Sequence, residues 1–158
     1  MTKKLYVSDE MFRDSLIEII RQSIHDEWRP EIITGPNRGG LQMGVMLSHF
    51  FRVPFIALQW QTRDGEGRDI VGLNTFFEKY NEHKILLVDD INDTGKTLLD
   101  IMNHCPEHLH KNINVATLFH KTTSEYQSVN YYAHELTPDN NPWVVFPYEE
   151  WWNQGAFE

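Results

Sequence analysis

Three scarcities narrow the reading before any motif is considered. Cys105 is the single cysteine among 158 residues, so neither an internal disulfide nor an all-cysteine metal site can form. No apolar run approaches the ~18 residues of a membrane span, because Lys and Arg interrupt every long hydrophobic stretch. The first residues, MTKKLYVSDEMF, also lack the unbroken apolar core of a secretory signal. Positive charge is scarce too: 14 Lys and Arg face 23 Asp and Glu, for a net charge of −9, which argues against nucleic acid or an anionic membrane as a partner. The expectation is a soluble, cytoplasmic chain that binds phosphate only at a local site. The acidity is also uneven. Residues 122–158 carry six acidic side chains and no Lys or Arg, so every basic group that could meet a phosphate lies at or before Lys121.

What is present is a globular composition, 41% apolar and 23% charged, long enough for one domain, 1–158. Met11, Phe12, Leu16, Ile19, Ile20 and Ile24 recur at helical spacing, so residues 9–27 are predicted helical, with Ser8 as N-cap and Asp9 and Glu10 in the first turn. Glu31–Thr34 reads as a strand running into the glycine-rich turn Gly35-Pro36-Asn37-Arg38-Gly39-Gly40, followed by a helix to Phe51. Phe55–Trp60 reads as a strand, and residues 61–74, with three glycines and five charges, as a loop. Lys84–Val88 is the clearest buried strand, a helix follows over 96–105, Asn112–His120 forms another strand, and short β-like runs such as Trp143–Phe146 follow Tyr131. Strands alternating with helices predict an α/β domain with a mostly parallel central sheet flanked by helices. Ligands of such sheets bind at the carboxyl ends of strands, where both notable turns lie.

The chemistry concentrates in residues 86–97, Leu-Leu-Val-Asp-Asp-Ile-Asn-Asp-Thr-Gly-Lys-Thr. Thr-Gly-Lys-Thr opening a helix is an anion site: it offers backbone N–H groups, two hydroxyls and a glycine that permits close approach. Asp89, Asp90 and Asp93 are suited to the opposite task, accepting hydrogen bonds from hydroxyls or helping to hold Mg²⁺. A ligand bearing a phosphate, a diol and a metal satisfies both halves. The G-x-x-x-x-G-K-[ST] spacing of a Walker A loop is absent. The eight histidines are scattered; only His104 and His108 share helical spacing, with Pro106 between them, so none is assigned to a metal.

This twelve-residue block resembles the signature of the type I phosphoribosyltransferases, which bind 5-phosphoribosyl 1-diphosphate through a hydrophobic strand, two acidic residues and a D-T-G-x-T loop. The resemblance implies that Asp89 and Asp90 bind the ribose hydroxyls, directly or through Mg²⁺, that Thr94, Gly95, Lys96 and Thr97 cradle the 5′-phosphate, and that Asp93 acts as general base. It also implies a pyrophosphate-binding role for Arg38 and Gly39, with a non-proline cis peptide expected at Arg38–Gly39. Among purine enzymes of the family, Lys121 would donate to the 6-oxygen of the base, and Trp143 and Val144 would form a hood that stacks on the purine and reads its edge through main-chain atoms. Glu149, or Glu150 beside it, would contact metal or pyrophosphate.

The expected division is a core over about 28–122 and a hood over about 123–158, with residues 61–74 where the family has a lid, from which Arg63 or Arg68 could reach pyrophosphate. The implied activity is transfer of a phosphoribosyl group to hypoxanthine, guanine or xanthine, with Mg²⁺ as cofactor, small-molecule substrates as partners and a homodimer or homotetramer as the assembly. Two alternatives stand beside it: a non-catalytic regulator that senses phosphoribosyl diphosphate on the same fold, and a pyrimidine phosphoribosyltransferase.

Overall fold

The computed structural model describes residues 2–61 and 67–153. Its elements run β1 (Lys4–Tyr6), α1 (Asp9–His25), β2 (Ile32–Pro36), α2 (Leu41–Phe51), β3 (Phe55–Leu58), β4 (Trp60–Gln61), β5 (Gly67–Arg68), α3 (Ile70–Lys79), β6 (Ile85–Asn92), α4 (Lys96–His104), a 3₁₀ turn (Glu107–Asn112), β7 (Ile113–Lys121), β8 (Tyr131–Leu136) and β9 (Trp143–Val145). Five strands form the central sheet in the order β3-β2-β6-β7-β8, and every neighbouring pair is parallel.

The continuous apolar run of β6 follows from burial on both faces. Leu86 and Val88 join Phe12, Leu16 and Ile19 of α1 and Met43 and Leu47 of α2 in one core layer. Ile85 and Leu87 turn to the other face, against Leu73, Phe76 and Phe77 of α3 and Leu98 and Ile101 of α4. Ser8 caps α1 as its sequence requires, its hydroxyl accepting the Met11 N–H at 3.1 Å. Among the described residues no helix is long and apolar enough to cross a membrane.

Two expectations are corrected. Residues 67–74 are not loop: β5 pairs with β4, and α3 begins at Ile70, where the Asp69 carboxylate accepts the Gly72 N–H at 2.8 Å. The glycines and charges of this stretch masked the spacing of Leu73, Phe76 and Phe77, which bury the helix. Of the expected lid, residues 62–66, including Arg63, lie outside the described residues, while Arg68 pairs with Asp100 of α4 at 3.0 Å. Second, β8 is the fifth strand of the central sheet, although its residues fall in the segment expected to form the hood. Besides the β4–β5 pair, a second small sheet consists of β9 and the N-terminal β1, paired in parallel with Leu5 opposite Val144.

Candidate active site

Parallel strands deliver their carboxyl ends to one side of the sheet, and the order β2-β6-β7 places β6 between the other two. The glycine-rich turn after β2, the acidic end of β6 and Lys121 at the end of β7 therefore gather at the same edge. β6 runs four residues past the expected Val88, to Asn92, so Asp89 and Asp90 lie within the strand and not in the following loop.

Asp89 is buried, and its Oδ1 accepts the Asp90 N–H at 3.0 Å. Burial, reinforced by the neighbouring Asp90 charge, holds the Asp89 carboxyl well above the usual carboxylate range. Burial also pushes Asp90 up, to about 6, against the opposing effect of the Tyr148 hydroxyl, which donates to Asp90 Oδ2 at 2.6 Å. The Tyr148 phenol is itself raised by burial and by the Asp90 charge. Among the described residues no Lys or Arg pairs with these two adjacent carboxyls; a diol or a divalent ion is the partner they fit.

Gly39 faces the same pair. A Cβ built there would lie 2.6 Å from Oδ1 of both Asp89 and Asp90, so only glycine lets the turn approach. Arg38 beside it is exposed. The turn contains a non-proline cis peptide, at Asn37–Arg38 and not at Arg38–Gly39, one bond earlier than expected. Asn37 is held from both sides, its N–H donating to the Leu58 carbonyl at 2.8 Å and its side-chain amide to Gln59 at 2.7 Å.

Beyond β6, Gly95 adopts φ 87° and N-caps α4, a conformation that glycine takes without strain. Thr94 and Lys96 are exposed around it, and Thr97 lies in the first turn. The loop thus presents the amino end of a nine-residue helix on the ligand side of the sheet. Asp93 meets Lys121 directly: Nζ lies 2.5 Å from Oδ1, with both side chains partly exposed.

The expected hood residues occupy the small sheet. Trp143 is 48% exposed at the start of β9, and its main-chain N–H donates to the Lys3 carbonyl at 2.7 Å. The Val145 carbonyl accepts the Val7 N–H at 2.8 Å, so the ladder to β1 uses Trp143 and Val145. By the alternation of a parallel pair, the main-chain groups of Val144 lie on the opposite edge, while its side chain is buried in the core. Glu149 is exposed, and its Oε1 accepts the Phe146 N–H at 3.0 Å, closing the turn that carries Tyr148. Its charge raises Asp90 as a secondary effect after burial. Glu150 pairs with Lys4 of β1 at 3.4 Å. Among the described residues no three His, Cys, Asp or Glu side chains are arranged to hold an ion by themselves.

Tyr148 and Asn92 are the polar residues at this edge that sequence reading passed over. Tyr148 reaches Asp90 only through the tertiary fold. Asn92, 1% exposed, shows its need for hydrogen-bond partners only once the fold buries it.

No curated protein matches the chain. A purine phosphoribosyltransferase from Pyrococcus horikoshii Ot3 superposes with a TM-score of 0.73 at 24% identity, over 94% of this chain and 95% of the other. The xanthine-guanine-hypoxanthine phosphoribosyltransferase of Helicobacter pylori gives 0.71 at 20% identity, over 95% and 96%. A hypothetical protein from Neisseria gonorrhoeae, solved with bound ppGpp, gives 0.64 at 18% identity, over 94% and 90%. At these identities the likeness shows the fold. The phosphoribosyl transferase domain model matches residues 8–152, nearly the whole chain, and the protein therefore belongs to that family.

Proposed function

We propose that the protein transfers the 5-phosphoribosyl group of 5-phosphoribosyl 1-diphosphate to a 6-oxopurine, giving a nucleoside monophosphate and pyrophosphate. The observation that carries this reading is the meeting of Lys121 and Asp93 at 2.5 Å. A 6-oxopurine presents O6 and N7 side by side on one edge. A lysine donating to O6 and a carboxylate accepting the N7 proton must therefore stand next to each other, as these two do. Adenine offers an amino donor at the same position and would set it against the ammonium.

In the reaction, purine N9 forms a bond to ribose C1 as the C1–O bond to the diphosphate breaks, and Asp93 takes the N7 proton. Positive charge builds on the ribose as the bond breaks, and the carboxylates at the end of β6 lie on the side where they would stabilise it. Asp89 and Asp90 would bind the ribose hydroxyls, the amino end of α4 with Thr94, Gly95, Lys96 and Thr97 the 5′-phosphate, and Arg38 and Gly39 the diphosphate. Trp143 would stack on the base, and Val144 would read its edge by main-chain groups.

The hard oxygen donors of Asp89 and Asp90 fit Mg²⁺, and Glu149, whose charge is felt at Asp90, would be a further carboxylate toward it. When bound, Mg²⁺ would neutralise the diphosphate and make it a better leaving group. Cytoplasmic location and a homodimeric or homotetrameric assembly belong to the same reading.

The test incubates hypoxanthine, guanine, xanthine, adenine and uracil separately with phosphoribosyl diphosphate and Mg²⁺ and measures pyrophosphate release. Release with one or more 6-oxopurines, and far less with adenine or uracil, is the expected result. Binding of phosphoribosyl diphosphate without release for any base would instead favour a regulator, and preference for uracil a pyrimidine enzyme.

A further inference from the structure

Asn92 and His120 are partners in the β6–β7 register, each the residue immediately before a proposed reacting group, Asp93 and Lys121. Both are buried, and the Asn92 side-chain amide donates to His120 Nδ1 at 3.0 Å. The same amide nitrogen donates to the Tyr126 carbonyl at 2.7 Å, and Asn92 Oδ1 accepts the Ser124 hydroxyl at 2.9 Å. One side chain thus binds its neighbouring strand and the segment that follows it. That segment in turn touches the phosphate loop: the Glu125 N–H donates to the Thr94 carbonyl at 2.8 Å, and Gly95 packs so closely that a Cβ there would lie 2.5 Å from the Tyr126 nitrogen.

We propose that Asn92, acting with Ser124, is a positioning residue that holds the purine subsite at a set distance from the phosphate loop. The inference rests on the purine phosphoribosyltransferase reading, under which Lys121 and Asp93 meet the base and residues 94–97 meet the phosphate. The purine subsite joins Lys121 at the end of β7 to Asp93 in the loop after β6, residues 94–97 of that loop form the phosphate subsite, and the buried amide ties the start of the loop to β7 and to the segment that follows it. A ligand occupying both subsites at once depends on their separation, whereas a ligand filling only one does not. An apolar residue at position 92 would leave the Ser124 hydroxyl and the Tyr126 carbonyl without this partner while preserving the strand.

The test measures binding by calorimetry to the wild-type protein and to Asn92→Leu, Ser124→Ala and Ser124→Thr. The probes are inosine and guanosine monophosphate, which span both subsites, and ribose 5-phosphate, which fills the phosphate loop alone. Expected is at least a tenfold loss of mononucleotide affinity in Asn92→Leu, with ribose 5-phosphate changed less than threefold. A smaller loss in the same direction is expected in Ser124→Ala, with recovery in Ser124→Thr, which restores the hydroxyl. Ser124→Ala removes the hydroxyl's bonds to Asn92 Oδ1 and to the Tyr126 main chain and leaves the amide in place, so it carries the test if Asn92→Leu does not fold. Equal weakening of both probes, or of neither, would overturn the positioning role. A wild-type protein that binds ribose 5-phosphate but neither mononucleotide would overturn the purine reading and this inference together; normal mononucleotide binding without the selective loss would overturn this inference alone.

Discussion

Replacing Asp90 by Asn should make the protein more stable and a poorer binder of its cosubstrate. Asp90 ionises only near pH 6 in the fold, against an ordinary value of 3.8, because it is buried. Its deprotonated form is therefore disfavoured in the native state. Below about pH 4 the carboxyl is protonated in both the folded and unfolded chain and costs nothing. Between pH 4 and 6 the unfolded chain loses the proton first, and above pH 6 the fold bears the full cost, about 3 kcal/mol from the linkage of proton binding to folding. An Asn side chain keeps an oxygen to accept the Tyr148 hydroxyl and removes the charge that raises Asp89. The expected gain at pH 7 is about 2–3 kcal/mol, or roughly 5–10 °C in Tm for a chain of this size, shrinking toward zero at pH 4. Thermal unfolding followed by circular dichroism across pH 4–8 reads both values. A variant less stable than wild type at pH 7, or one whose gain is the same at pH 4, would refute the idea that uncompensated charge is stored at the end of β6. Under the proposed function the same variant should also bind phosphoribosyl diphosphate more weakly, a loss that calorimetry would read.

Three further outcomes follow from the geometry. Asp93→Asn should lose most of kcat while calorimetric affinity for phosphoribosyl diphosphate stays within about threefold of wild type, a loss in the range of 10²–10⁴ for removal of a general base; near-normal turnover would remove Asp93 from that role. Lys121→Ala should raise KM for the purine far more than KM for the cosubstrate, and equal effects in steady-state kinetics would count against base reading. Gly95→Ala forces a side chain into φ 87° and against the Tyr126 nitrogen, so chemical denaturation should show a loss of about 2–4 kcal/mol.

Local patterns carried much of the architecture. Helical spacing and the Ser8 cap bounded α1, the apolar run preceding Asp89 announced a strand buried on both faces, and the glycine turn after β2 and the Asp93–Thr97 loop each stood between a strand and a helix. α3 escaped because its first turn contains Gly72 and follows a charged stretch, while its stability comes from Leu73, Phe76 and Phe77 packing into a core supplied by other elements. β8 lies in the segment that the family resemblance makes hood, and its run, Tyr-Tyr-Ala-His-Glu-Leu, mixes polar residues into an edge strand of the central sheet, so no continuous apolar run marks it. The family resemblance implies a cis bond at Arg38–Gly39, and only the closed turn shows it one bond earlier, at Asn37–Arg38.

By itself, then, the sequence determined which residue types stand at the carboxyl ends of strands, because a strand, its turn and the helix after it are contiguous in the chain and leave a readable period and spacing. The tertiary structure decided which of those ends meet. Sheet order and register brought Lys121 to Asp93 and Asn92 opposite His120, and the packing of Phe146 and Tyr148 onto the core delivered a phenol to Asp90 across 58 residues. Those contacts depend on how non-local surfaces pack, and no local pattern encodes them; the burial that displaces the carboxyls of Asp89 and Asp90 arises only when the chain closes around them.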